Sequence, residues 1–204
     1  MGREAKCSAV IGTWKGEGRV LLETDDLIFR GESRLVVARA DIRSATVQDG
    51  WLEIVHSAGS ARFLVGPLAP RWANDILHPK TRIEKMDVKP DTNAAVVAMR
   101  DSAFVDELRA RAAEVTTRPG AGPYDIVFLA VDDPTDLARL ADLRGRITES
   151  GAVWIITPKG RPELGHGPVV AAARRAGMVD VKTARFSDTH TALKLMVPRS
   201  ERRR

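Results

Sequence analysis

The sequence is poor in the groups that build metal sites, covalent staples and membrane spans. It has one cysteine in 204 residues, Cys7, which excludes a disulfide framework and a cysteine-rich zinc site. The four histidines, His56, His78, His166 and His190, are scattered without ligand spacing, so no metal site is expected. No apolar run approaches the roughly 18 residues that a membrane-spanning helix needs. The first residues, Met1 to Lys6, carry no apolar segment of a secretory signal, and Lys6 stands where N-myristoylation prefers serine or threonine. A reduced, soluble, cytoplasmic protein is the expectation. Aromatic residues are few, at 5%. Trp14, Phe29, Trp51, Phe63 and Trp72 lack the interleaved basic groove of a base-stacking platform, so they are read as core.

Charge is plentiful but balanced. The net +5 comes from 32 Lys and Arg against 27 Asp and Glu. A basic excess points to nucleic acid or acidic membrane. Split along the chain, residues 1–80 hold 11 basic and 10 acidic side chains, residues 81–198 hold 17 and 16, and residues 199–204 hold 4 and 1. Six terminal residues, Arg199 to Arg204, supply most of the excess. Nucleic-acid binding is therefore expected, if at all, only on that tail.

Two halves differ in hydrophobic period. From Ser8 to Gly66, short apolar runs read as strands: 8–14, 19–23, 27–29, 34–37, 42–47, 51–55 and 62–65. Asp49-Gly50 is a tight hairpin signal. The strands argue for a small antiparallel barrel or sandwich, and a helix predicted over 67–77, with Leu68, Trp72 and Ile76 on one face, would plug the open end of a barrel. His78-Pro79 ends it. From Asn93, strands alternate with helices: strand 94–99, helix 102–115, strand 124–131, a helix from Asp133-Pro134 to about Ile147, strand 152–156, a short helix from Gly167-Pro168 to Gly177, and strands 179–186 and 191–197. Alternating β and α elements predict a mostly parallel sheet that binds ligands at the C-terminal ends of its strands.

The runs Gly18-Arg19-Val20-Leu21-Leu22-Glu23 and Leu27-Ile28-Phe29-Arg30-Gly31, with the 67–77 helix, resemble the pleckstrin-homology (PH) superfold in its GRAM-like form, over residues 8–79. The second half, over 81–198, resembles an uncharacterised bacterial family of truncated Rossmann-like proteins related to class I methyltransferases. Met86-Asp87-Val88-Lys89-Pro90 is similar to the lead-in to the first methyltransferase strand. Tyr124-Asp125-Ile126-Val127-Phe128-Leu129 is similar to the fourth strand, and Gly151-Ala152-Val153-Trp154-Ile155-Ile156 with Pro158-Lys159-Gly160 to the fifth. Asp188-Thr189-His190-Thr191-Ala192-Leu193-Lys194-Leu195 is similar to the terminal hairpin of the uncharacterised family. The resemblances imply an α+β PH-like barrel with a C-terminal helix (1–80), then an α/β domain (81–198). A methyltransferase needs a glycine-rich turn after its first strand. Here Val97-Ala98-Met99-Arg100-Asp101-Ser102-Ala103 has no glycine, so S-adenosylmethionine is not expected as cofactor. No second strand ending in an acidic residue is visible, and two βα units are expected to be absent.

The candidate ligand residues all follow predicted strands. Arg100, Asp101 and Ser102 would meet a hydroxyl or phosphate at a helix start, or simply cap that helix. Asp132 and Asp133 offer a carboxylate pair for acid–base work, or a cap. Lys159 and Arg161 would bind an anionic group from a mobile βα loop, or be solvated there. His166 is a candidate base or proton donor, but has no partner in sequence. No catalytic residue is assigned. The expected function is a non-catalytic binding or interaction module with a protein partner or a second copy of itself. The alternative is a small-anion binder or enzyme at the sheet edge, and a third is membrane contact through the first half.

Overall fold

The computed structural model describes residues 3–202. These divide into two compact units, one ending at Lys80 and the other beginning at Thr81. No helix among the described residues is long and apolar enough to cross a membrane.

The first unit has seven antiparallel strands: β1 (Arg3–Ile11), β2 (Trp14–Leu22), β3 (Asp26–Gly31), β4 (Arg34–Ala38), β5 (Ile42–Gln48), β6 (Trp51–His56) and β7 (Gly59–Leu64). Their order is β4-β3-β2-β1-β7-β6-β5. The sheet curls, but β4 and β5 stay unpaired edges. It is a half-barrel. Asp49 and Gly50 both have positive φ, 49° and 79°, between the paired Gln48 and Trp51. That is the two-residue turn whose twist matches its flanking strands. The strand expected over 8–14 is instead broken by a turn at Gly12, φ 57°, and Trp14 begins β2 opposite Ile11.

Helix α1 (Ala69–Leu77) packs on β5 and β6. It buries Ala69, Trp72, Ala73 and Ile76 among Phe29, Phe63, Leu52 and Ile54. Leu68, expected on that face, is 42% exposed. Gly66-Pro67-Leu68 forms a separate 3₁₀ turn, and its tighter winding shifts Leu68 off the α1 stripe.

The second unit holds a mixed six-stranded sheet, built from β8 (Asn93–Val97), β9 (Glu114–Thr116), β10 (Tyr124–Ala130), β11 (Ile147–Pro158), β12 (Val179–Arg185) and β13 (His190–Met196). The order is β12-β13-β11-β10-β8-β9. β9, β8, β10 and β11 run parallel, and β13 is antiparallel to both neighbours. Four helices accompany it: α2 (Arg82–Lys85), α3 (Ser102–Arg111), α4 (Leu140–Arg144) and α5 (His166–Arg175). Alternate strand residues feed two cores. Val127, Leu129, Val153 and Ile155 pack with α4 and α5, while Ile126, Phe128, Trp154 and Ile156 pack with α3 and the segment after α2. Buried Trp154 donates its indole N–H to the Met86 carbonyl at 3.0 Å, which ties that segment to the sheet.

Two expectations need correction. The helix predicted to 115 stops at Arg111, and Glu114–Thr116 pairs with β8 as a second parallel strand. The helix predicted from Asp133 to Ile147 is a 3₁₀ turn, Pro134–Arg139, followed by the short α4, and Ile147 already belongs to β11. The tail is also partly tied down. Glu201 accepts from Arg144 at 2.5 Å and Arg202 donates to the Val197 carbonyl at 2.9 Å. Arg203 and Arg204 lie outside the described residues.

Candidate functional site

The C-terminal ends of β8, β10 and β11 carry most of the candidate residues, and local chemistry explains each placement. After β8 the chain turns through Ala98, a non-glycine residue at φ 56°. Asp101 then caps α3, accepting from the Phe104 amide at 2.9 Å. Its second oxygen accepts from Arg82 at 2.9 Å. Burial raises the Asp101 carboxyl, but the Phe104 amide and the Arg82 guanidinium outweigh it, and the group is held below its usual range.

Arg82 is the centre of this cluster, and sequence reasoning missed it. Its Nε and Nη2 form a fork on Glu107 at 2.8 and 2.9 Å. Its guanidinium carbon lies 5.1 Å from the ring centres of both Phe104 and Phe186. The hydrogen bond to Glu107 raises its pKa, burial opposes this, and Asp101 adds to the rise. The signal was Thr81-x-x-Glu84, a capping box that starts α2 and places Arg82 at its first helical position. Arg100 and Ser102 are exposed and have no charged partner among the described residues.

The ends of β10 and β11 come together. Asp133 caps the turn that follows β10, accepting from the Thr135 amide at 2.9 Å and its hydroxyl at 2.6 Å, which holds its carboxyl low. Arg161 donates to the Asp132 carbonyl at 2.9 Å and to Glu163 at 2.7 Å. Lys159 does not join them. Its ammonium donates to the carbonyls of Ser187 and Asp188, at 3.0 and 3.2 Å, and so fastens the β12–β13 hairpin to β11. In that hairpin His190 Nδ1 sits 2.8 Å from the Thr189 hydroxyl and its ring packs edge-on against Phe186. His190, unlike His166, therefore belongs to this edge.

His166 leaves it. Its Nε2 lies 3.7 Å from Asp180, near the start of β12. Asp180 is level with Leu195 and, through it, with Val153 in the middle of β11, several residues short of the strand's C-terminal end at Pro158. The eight candidates thus fall into separate places. Asp132, Asp133 and Arg161 meet, Asp101 goes to Arg82, Lys159 to the hairpin, and His166 elsewhere. No group of three or more metal-ligating side chains occurs among the described residues.

The family model described as a protein of unknown function (DUF3052) matches residues 86–199, more than half of the sequence. The chain belongs to the DUF3052 family. The matched range spans β8 to β13 and includes every candidate site residue, while Arg82 lies just before it. No curated protein matches the DUF3052 chain. Solved structures similar to it include a SAM-dependent methyltransferase from Aquifex aeolicus, 12% identical with a TM-score of 0.46 over 57% of this chain and 87% of that one. A fibrillarin pre-rRNA processing protein from Methanococcus jannaschii is 10% identical with a TM-score of 0.40 over 86% and 95%. A TehB-like SAM-dependent methyltransferase from Corynebacterium glutamicum is 12% identical with a TM-score of 0.38 over 64% and 96%. At these scores the likenesses carry no functional weight.

Proposed function

We propose that this DUF3052 protein is a non-catalytic binding module: a PH-like first unit joined to a Rossmann-like second unit whose ligand edge is filled by its own side chains. The observation that carries this is the use already made of that edge's charges. Asp101 is held by Arg82 and the Phe104 amide, Arg161 by the Asp132 carbonyl and Glu163, and Lys159 by two hairpin carbonyls. An incoming ligand would have to replace these bonds at comparable energy before gaining any affinity. The seven antiparallel strands followed by a single helix support the PH-like assignment. The expected partner is another protein or a second copy of the chain, in the cytoplasm.

The residues do not fit S-adenosylmethionine. Ala98 puts a methyl group on the left-handed turn where glycine would let a ligand approach the backbone. Asp101 is already paired, and β9 is followed by Thr117 rather than a carboxylate. Calorimetric titration of the full chain with S-adenosylmethionine tests this: no saturable heat is expected, and a micromolar Kd would overturn it. One observation favours the second reading, a small-anion site. Arg100, exposed and without a charged partner among the described residues, follows the strained Ala98 at the sheet edge, where ligands of such sheets bind. A thermal-shift screen of phosphorylated metabolites, with a hit removed by Arg100→Ala, would establish it.

A further inference from the structure

The register of the first unit aligns four cations. Lys6 is opposite Arg19, Arg19 opposite Arg30, and Arg30 opposite Arg34. Residues directly opposite share a sheet face. Their chain neighbours Cys7, Val20 and Phe29 are buried, so the four point outward, and all four are exposed. At about 4.8 Å per strand the row is about 14 Å long. Like charges directly opposite destabilise a sheet. Only Arg19 has a carboxylate partner among the described residues, Glu4 at 2.7 Å. Lys6, Ser8, Glu17, Arg19 and Arg30 line a shallow depression here. Two residues away on each strand a second row runs parallel to the first: Glu4 on β1 is opposite Leu21, Leu21 opposite Ile28, and Ile28 opposite Val36. Val36 is 50% exposed. On β2, β3 and β4 the cations thus lie beside a line of three aliphatic side chains, with Glu4, the partner of Arg19, at its β1 end.

The shape selects among anionic partners. A lipid surface presents charge as a plane, and would also meet Glu4 and Glu17 on either side of the row. Single-stranded nucleic acid needs stacking rings. The aromatic residues of these strands, Trp14 and Phe29, pack on each other on the inner face, with ring centres 5.7 Å apart. A narrow, linear polyanion with an apolar edge fits both rows. An extended peptide brings same-side residues round about every 6.8 Å, so alternate carboxylates set three along the row. The intervening aliphatic side chains then face Leu21, Ile28 and Val36. We propose that this face docks an extended segment of a partner protein in which acidic and aliphatic residues alternate. The proposal deepens the binding-module reading and rests on it.

Fluorescence anisotropy of the full chain with a labelled synthetic peptide of alternating glutamate and leucine tests this. Binding is expected, weakening as salt rises. Arg30→Glu and Arg34→Glu should each weaken it at least about tenfold. Neither should lower the melting temperature, because each replaces a like-charge pair by an opposite one. Arg174→Glu, the same charge change on an exposed residue of α5, should leave binding unchanged. Three outcomes would overturn the proposal: no peptide binding by the unaltered chain, equal loss in Arg174→Glu, or tighter binding to phosphatidylserine vesicles or single-stranded DNA that the Arg30 and Arg34 changes abolish. The S-adenosylmethionine titration reads the other unit, so the two can fail separately.

Discussion

Replacing Arg82 with alanine strips the second unit of one fork on Glu107, one bond to Asp101 and two ring contacts. The partner carboxylates are 33% and 44% exposed, so water screens them, and each ion pair is worth about 1 kcal/mol rather than a buried pair's several. Each ring contact adds about 0.5 kcal/mol at such a site. The expected cost is about 2–3 kcal/mol by urea unfolding at neutral pH. Arg82→Lys keeps the charge but loses the fork, and should cost about half as much. The pH dependence gives a second check. Asp101 is held below its ordinary 3.8 because the Phe104 amide and Arg82 outweigh the opposing effect of burial. A carboxyl lowered by folding contributes stability above its unfolded value, which is lost as pH falls through the folded value. Without Arg82, Asp101 titrates closer to 3.8. On acidification the variant should therefore lose less stability than the unaltered chain, and the gap between them should shrink below about pH 4. A cost under about 0.5 kcal/mol, or the same gap at pH 3 and pH 7, would refute the central role given to Arg82.

Two further predictions concern the first unit. The Cys7 thiol is pushed up to about 11 by burial, with a smaller opposing effect from the Val20 backbone. It should react with a disulfide reagent at pH 8 only as fast as the protein unfolds, and reaction at the denatured rate would contradict its burial. Trp72→Ala should cost about 3–5 kcal/mol, whereas Leu68→Ala should fall within about 0.5 kcal/mol of the unaltered chain, and equal melting temperatures would contradict the assigned buried face of α1.

Local chemistry was legible in the sequence where one residue decided the outcome. Asp49-Gly50 announced its hairpin, and Asp101 and Asp133 announced their caps. What stayed hidden depended on distant partners. Val115 continues the helical stripe of Phe104, Leu108 and Ala112, and no glycine or proline intervenes, so nothing local stops α3 at Arg111. The helix ends because the Ala113 amide donates to the Thr92 carbonyl at 3.0 Å, beside the start of β8. The fate of the candidate site was hidden in the same way. Asp101 is 19 residues from Arg82, and Lys159 is 28 from Ser187. Only the folded sheet shows that these charges are already taken.

The solvent face of the first unit shows what a charge count misses. Residues 1–80 are nearly neutral by composition, yet four of their eleven cations stand in one line. The intervals between Lys6, Arg19, Arg30 and Arg34 are unequal and match no helix or strand period. They are the intervals that hairpins require, because two paired residues lie equally far from the centre of their turn. Turns centred on Gly12-Thr13, Thr24-Asp25 and Glu32 therefore generate the row together. Running one strand through Gly12 as far as Trp14 removed the first of those turns, and with it the pairing of Lys6 with Arg19. The missing information was a single turn position rather than any long-range contact. Placing it converts a balanced composition into a surface with a direction, a length and a preferred partner charge.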